Sequence, residues 1–223
     1  MKTIDIITGL NTYLKTENKS IIEELLNKLD VQYREEEMKA RGGNAALKRL
    51  RVANKILKQN KKDELRTVLH KCFTMEIDGE TYQTFGCAYY FIALKEQYKT
   101  TAEEYAPEEQ EKLGFNPRRF FDELKNANLN KVDFDITEIK KDFENFKAEE
   151  KLWPKKVRRG RCILPIGNID SMGFNAEYFI NITEVLGPNT EFYQNEKETG
   201  TSCFKSDIGM ALLCPCRLKN EVA

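Results

Sequence analysis

A Gly-Phe-Asn step occurs twice in this chain, as GFNPRRF at 114–120 and as GFNAEYF at 173–179. The first copy carries Phe115, Phe120, Phe121 and Leu124; the second carries Phe174, Tyr178, Phe179, Ile182 and Val185, an amphipathic run in each case. An Asn ahead of such a run is a helix cap, because its side-chain oxygen accepts from N–H groups that the first helical turn leaves free. Each copy therefore predicts a short strand ending at Asn116 or Asn175, with a helix starting at once. A unit of this kind used twice restricts the chain to folds with internal duplication.

The rest of the chain sets the order of elements around the two copies. Residues 1–60 read as helical: Ile21, Leu25 and Leu29 fall at helical spacing, Gly42-Gly43 breaks the pattern, and Ala46, Leu50, Ala53 and Leu57 resume it. From Leu65 aromatic and β-branched residues surround Asp78-Gly79, a hairpin turn signal. Residues 97–113 form an acidic connection. Val132 and Phe134 make a strand fragment, and Asp135 or Thr137 caps a helix that places Ile139, Phe143 and Phe146 on one face. A basic linker at 147–161 holds Trp153 and Pro154; after the second Gly-Phe-Asn helix come three strands, TEFYQ, TSCFKS and ALLCPCRL. The fold class expected is α+β, with duplicated strand-helix-strands units and a helical N-terminal region.

Charge is segregated. The 223 residues balance 36 basic against 36 acidic side chains, yet residues 39–62 hold nine Lys or Arg and no acid, and KKVRRGR at 155–161 adds five more. The stretch TAEEYAPEEQEK at 101–112 holds five glutamates. A neutral chain with such blocks can present one positive surface to a phosphate backbone, and a solvated helix face gives the same counts. No apolar run approaches twenty residues and no basic-then-apolar leader opens the chain, so no membrane association and a cytoplasmic location are expected. The six cysteines, Cys72, Cys87, Cys162, Cys203, Cys214 and Cys216, are expected as reduced, buried thiols, since a chain of this length builds a core without disulfides.

The stretch GFNAEYFINITEVLGPNTEFY, together with the ending ALLCPCRL, resembles the last domain of the bacterial DNA polymerase III β subunit, the sliding clamp. Gly173, Phe174, Asn175 and Tyr178 match its strand-to-helix step, and Pro215, Arg217 and Leu218 match its ending. KVDFDITEIKKDFENF is similar to the opening of the same domain. The resemblance covers about 130–218, is weaker over 65–95 and does not extend to 1–45. Phe85-Gly86-Cys87-Ala88-Tyr89 stands where that family has Asp-Gly-His-Arg-Leu, and this length holds two clamp-like domains rather than three. The domains it implies are 1–125, a helical region with a divergent clamp-like domain, and 130–223, a C-terminal clamp-like domain.

The resemblance implies a non-catalytic, DNA-clamp-like protein of replication, with helices towards duplex DNA and a sheet outside. Arg118, Arg119, Lys140, Lys141 and Lys147 would face the duplex, through phosphate contacts rather than base readout. Pro215, Arg217 and Leu218 would edge an apolar cleft for a polymerase or repair-protein peptide. Two domains per chain imply a homo-oligomer, three copies for a six-domain ring. The competing expectation is an adaptor or binding module that reuses the fold without encircling DNA, its mark being a peptide cleft without a basic inner face. A third is a nuclease-type enzyme assembling carboxylates from distant segments. No catalytic residue, cofactor or metal is expected. His70 has no neighbouring carboxylate in sequence, Cys214-Pro215-Cys216 lacks the two-residue spacing of a redox or zinc pair, and no glycine-rich phosphate loop is present. A zinc site drawing on Cys162 or Cys203 is the remaining metal alternative.

Overall fold

The computed structural model describes residue 12 and residues 19–154 and 160–218. Its first element, α1 (Lys19–Asn60), is broken at Gly42 and Gly43, whose backbones are non-helical, with Gly43 at φ 62°. The segment before the break folds back on the segment after it: the Arg51 guanidinium donates to both oxygens of Glu35 at 3.0 Å, and Met38 is buried. Asn60 closes the helix from inside the core, its amide donating to the carbonyls of Leu69 at 2.8 Å and Gly86 at 2.7 Å.

Strands β1 (Phe73–Ile77), β2 (Glu80–Cys87) and β3 (Tyr90–Lys95) form an antiparallel meander. Asp78 and Gly79 both have positive φ, which gives the two-residue turn whose twist matches its strands. Two short helices follow, α2 (Pro107–Leu113) and α3 (Arg118–Glu123), then β4 (Leu129–Val132) and α4 (Ile136–Leu152). Asp135 is the cap of α4, accepting from the Thr137 N–H at 2.7 Å. The remaining elements are β5 (Ile163–Leu164), β6 (Met172–Asn175), α5 (Ala176–Leu186), β7 (Glu191–Asn195), β8 (Ser202–Lys205), β9 (Gly209–Leu213) and β10 (Cys216–Arg217).

Seven strands make one antiparallel sheet in the order β1-β2-β3-β9-β8-β7-β4, and β10-β6-β5 make a second, small one. The protein is thus α+β with two antiparallel sheets. Side chains alternate across a strand, so the large sheet has two apolar faces. Ile92, Leu94, Ala211 and Leu213 join the main core with α1, α4 and α5; Phe91, Ala93 and Leu212 point the other way, into a second cluster with Phe121 of α3. At the centre of the main core Phe192 meets the rings of Phe174, Phe179 and Phe204 at 4.7–5.3 Å.

Three expectations meet a different arrangement. The two Gly-Phe-Asn copies share neither a strand nor a cap. Asn175 ends β6 and accepts from the Glu177 N–H at 2.9 Å, whereas Gly114 is the left-handed terminus of α2, so Phe115 follows a helix. Asn116 accepts from the Arg118 N–H at 3.0 Å as a turn residue, and the cap position of α3 is Pro117, which makes no side-chain cap bond. Cys214 and Cys216 do not share one alternating strand: β9 ends at Leu213, and Pro215, which has no N–H for a ladder, stands between it and β10 in the other sheet. The pairing of β3 with β9 also joins strands from either side of the 125–130 boundary into one sheet. Of the basic linker, Lys155–Arg159 lie outside the described residues.

Candidate functional site

A groove of about 950 Å³ opens on the sheet face away from α1, α4 and α5. Its floor is Phe91 of β3 and Leu212 of β9, the outward residues of the two central strands. Both strands are apolar on both faces, YFIAL and GMALL, which is the pattern of strands covered on two sides. The second cover leaves Phe91 only 7% and Leu212 only 3% exposed, so the accessible apolar surface of the groove is mainly that of Phe115, Phe120 and Tyr89 above them.

One wall is the segment after α2. Gly114, at φ 62°, turns the chain so that Phe115 drops onto the sheet 5.2 Å from the Phe73 ring. Phe121 is buried and anchors α3, while its neighbour Phe120 stacks over Phe91 at 5.5 Å and stays 38% exposed. The other wall is the β7–β8 connection. Asn195 shapes it: its amide donates to the Thr201 carbonyl at 3.2 Å and its side-chain oxygen accepts from the Lys197 N–H at 3.0 Å. Tyr89 and Cys214 also line the groove.

The polar groups of the rim are mostly neutral or already paired. Arg66 has Asp63 at 3.4 Å, Glu123 has Arg119 at 3.5 Å, and Glu196 accepts from Asn130 at 3.0 Å. Asn126 and Asn128 line the same groove and are exposed. The arrangement offers aromatic surface with amide donors and acceptors. It does not offer an activated nucleophile: burial pushes the thiols of Cys214 and Cys87 up, so both stay protonated at neutral pH. All six cysteines are free thiols. Cys162 lies in the main core and Cys203 pairs in register with Leu212 on the other face, which separates the two proposed zinc ligands; among the described residues no group of three His, Cys, Asp or Glu could hold a metal. His70 is half-buried, its Nε2 3.2 Å from the Asp63 carbonyl.

The five basic residues expected at a duplex fall on two sides of the sheet. Arg118 and Arg119 sit on α3 beside the groove, paired with Asp122 at 3.2 Å and Glu123 at 3.5 Å. Lys140, Lys141 and Lys147 sit on α4 in the opposite layer, where Lys140 meets Glu184 at 2.9 Å and Lys147 meets Glu144 at 2.8 Å; Lys141 is exposed. Of the nine basic residues at 39–62, five have ion pairs among the described residues: Arg41 with Glu37, Lys48 with Glu184, Arg51 with Glu35, Lys55 with Glu177 and Lys61 with Glu103 of the acidic stretch. Blocks that are segregated in sequence are thus interleaved in space.

Pro215, Arg217 and Leu218 are brought together, but at the small sheet. Arg217 pairs with Met172, and the Leu218 N–H donates to the Ser171 carbonyl at 3.0 Å. Only Cys214, one residue before them, reaches the groove. The groove residues Phe91, Leu212, Phe115 and Phe120 were all visible in sequence as apolar positions, but nothing there marked that Phe120 stays exposed while Phe91 and Leu212 are buried. No family model matches the chain, and neither a curated protein nor a solved structure matches it. No described helix is long and apolar enough to cross a membrane.

Proposed function

We propose that this protein is a non-catalytic binding module that holds a short, uncharged peptide bearing aromatic or leucine side chains in the groove over β3 and β9. The observation that carries this reading is the groove itself, built from Phe91, Phe115, Phe120 and Leu212 on a rigid sheet. Its volume lies at the upper end of the range for ligand sites, which usually combine apolar walls with a few polar groups. Asn126 and Asn128 on the rim suit the amide groups of an extended main chain. The rim charges, Arg66 and Lys197 against Glu123 and Glu196, balance in sign, which favours a neutral occupant over a phosphorylated or strongly acidic one. This takes up the adaptor alternative at a different site, since Pro215, Arg217 and Leu218 do not line the groove.

The test is a selection of random linear peptides on the immobilised protein, followed by titration of the selected sequences. Peptides with hydrophobic anchors and no net charge are expected, and Phe120→Glu should weaken them about tenfold or more in a variant that still melts cooperatively. Selected peptides that bind Phe120→Glu as well as the parent would refute the groove as their site.

A second reading, association with duplex DNA in the manner of a sliding clamp, draws on one feature. A helix followed by three meandering strands occurs twice, as α1 with β1–β3 and as α5 with β7–β9, and the two meet antiparallel at β3 and β9. Such pairing is what a duplicated clamp-like unit would produce. The compensated lysines of the helix layer weigh against a strong phosphate surface. Titration with linear and circular duplex at about 50 mM salt decides it, because a phosphate-contacting surface must gain affinity as salt falls.

A further inference from the structure

The break in α1 has an unpaired cation behind it. Arg49 is 7% exposed, its Nε is buried with no hydrogen-bond partner, and among the described residues it is the Tyr98 ring that lies against its guanidinium, 5.6 Å from Cζ. Helical side chains lean towards the helix N-terminus, and Arg49 does so: its Nη2 lies 3.7 Å from where a Cβ on Gly42 would stand. Gly42, Gly43, Asn44 and Ala45 are all exposed, so solvent reaches the start of the second helical segment. That start carries free N–H groups and the positive end of a helix dipole, which disfavour a second positive charge unless an anion sits between them. Lys99, held above its ordinary range by its hydrogen bond to Glu96, also feels the charge of Arg41. Glu37 is taken by Arg41 and Glu96 by Lys99, Glu104 accepts from the neutral Gln83 amide, and no carboxylate is paired with Arg49 among the described residues.

We propose that the elbow at Gly42–Gly43 is an oxyanion site, taking inorganic phosphate or the terminal phosphate of a phosphomonoester between the Arg49 guanidinium and the first-turn N–H groups of the second segment of α1. The glycines let the anion approach the backbone, as helix N-termini that bind phosphate require. The site lies in the helix layer and is independent of the groove on the other sheet face.

The experiment is thermal melting in sodium phosphate, in glycerol 3-phosphate and in sodium chloride at matched ionic strength, for the parent and for Arg49→Met. A saturable rise in Tm with phosphate, absent from Arg49→Met, is expected. Arg49→Met should also melt higher than the parent in chloride, because it removes a buried charge without a counter-ion. Glycerol 3-phosphate acting like phosphate assigns the site to a terminal phosphate; phosphate acting alone assigns it to the free ion. Equal melting in phosphate and chloride, or a phosphate effect retained in Arg49→Met, overturns the proposal. Should Arg49→Met fail to fold, the amide resonances of Gly43 and Asn44 in the parent decide: phosphate moves them under the proposal and leaves them in place otherwise.

Discussion

At the scale of single residues, the two Gly-Phe-Asn steps show what a local pattern can and cannot specify. The cap was legible in the second copy, because an Asn oxygen needs only the two or three N–H groups that follow it; in the first, Pro117 takes the cap position and Asn116 only bonds the turn ahead of it. The strand before the step was not legible, because a strand exists only where a neighbour supplies the ladder. Met172–Asn175 have β5 and β10 as neighbours, and Phe115 has none. The two asparagines therefore differ in worth. Asn175 is buried at the head of an eleven-residue helix packed in the core, and Asn175→Ala should cost about 1 kcal/mol. Asn116 is exposed ahead of a six-residue helix, and Asn116→Ala should cost no more than about 0.5 kcal/mol. Urea denaturation of both variants measures the difference, and equal costs would mean that the copies are structurally equivalent. Asn60 was not legible as a key residue at all, since the carbonyls it bonds lie 9 and 26 residues away. Asn60→Ala should cost about 1–3 kcal/mol by the same measurement, because two buried acceptors lose their donor.

At the scale of elements, the sequence resolved helices better than it resolved what they face. The break at Gly42-Gly43, the Asp78-Gly79 turn and the Asp135 cap are local events, and each stands where the pattern placed it. The pairing of charges between helices is not local. Glu184 of α5 takes Lys48 of α1 at 3.2 Å and Lys140 of α4 at 2.9 Å, so it ties the helix layer together. Burial pushes its carboxyl up, but the hydrogen bonds and charges of the two lysines outweigh this and leave it below the ordinary 4.5. A carboxyl depressed in the folded state adds stability that is present above its unfolded pKa and lost as pH falls through the folded one. Unfolding free energy should therefore drop below about pH 4.5, and Glu184→Gln should remove part of that drop, up to about 1 kcal/mol given partial exposure. A denaturant series between neutral and acid pH checks the sign. The β3–β9 seam makes a sharper demand: a Cβ on Gly209 would stand 2.0 Å from the Ala93 carbonyl oxygen. Gly209→Ala should destabilise by about 2 kcal/mol or more, because the obstruction is backbone in the centre of the sheet.

At the scale of the whole molecule, the question is whether this chain closes with copies of itself or presents its surfaces singly. The α+β class was legible from the order of helical and strand patterns. The groove was not, since it depends on how far the 115–128 segment covers a face that the strands leave apolar. Oligomer formation through the sheet would have to use its two edges, β1 and β4. The β4 edge is four residues long with Asn130 and Lys131 exposed, and Lys131 is held by Glu191 at 2.6 Å. The β1 edge exposes Thr74 and Glu76 between its buried residues. Short edges carrying charge are how proteins discourage strand addition. Together with a groove suited to a partner's peptide, this predicts a species of 26.0 kDa by light scattering after size exclusion, at every concentration tried. A stable species at three times that mass would reverse the order of the two functional readings. The interleaved charges of the helix layer would then line a closed ring, where even a weak, salt-sensitive attraction suffices because the duplex cannot leave sideways.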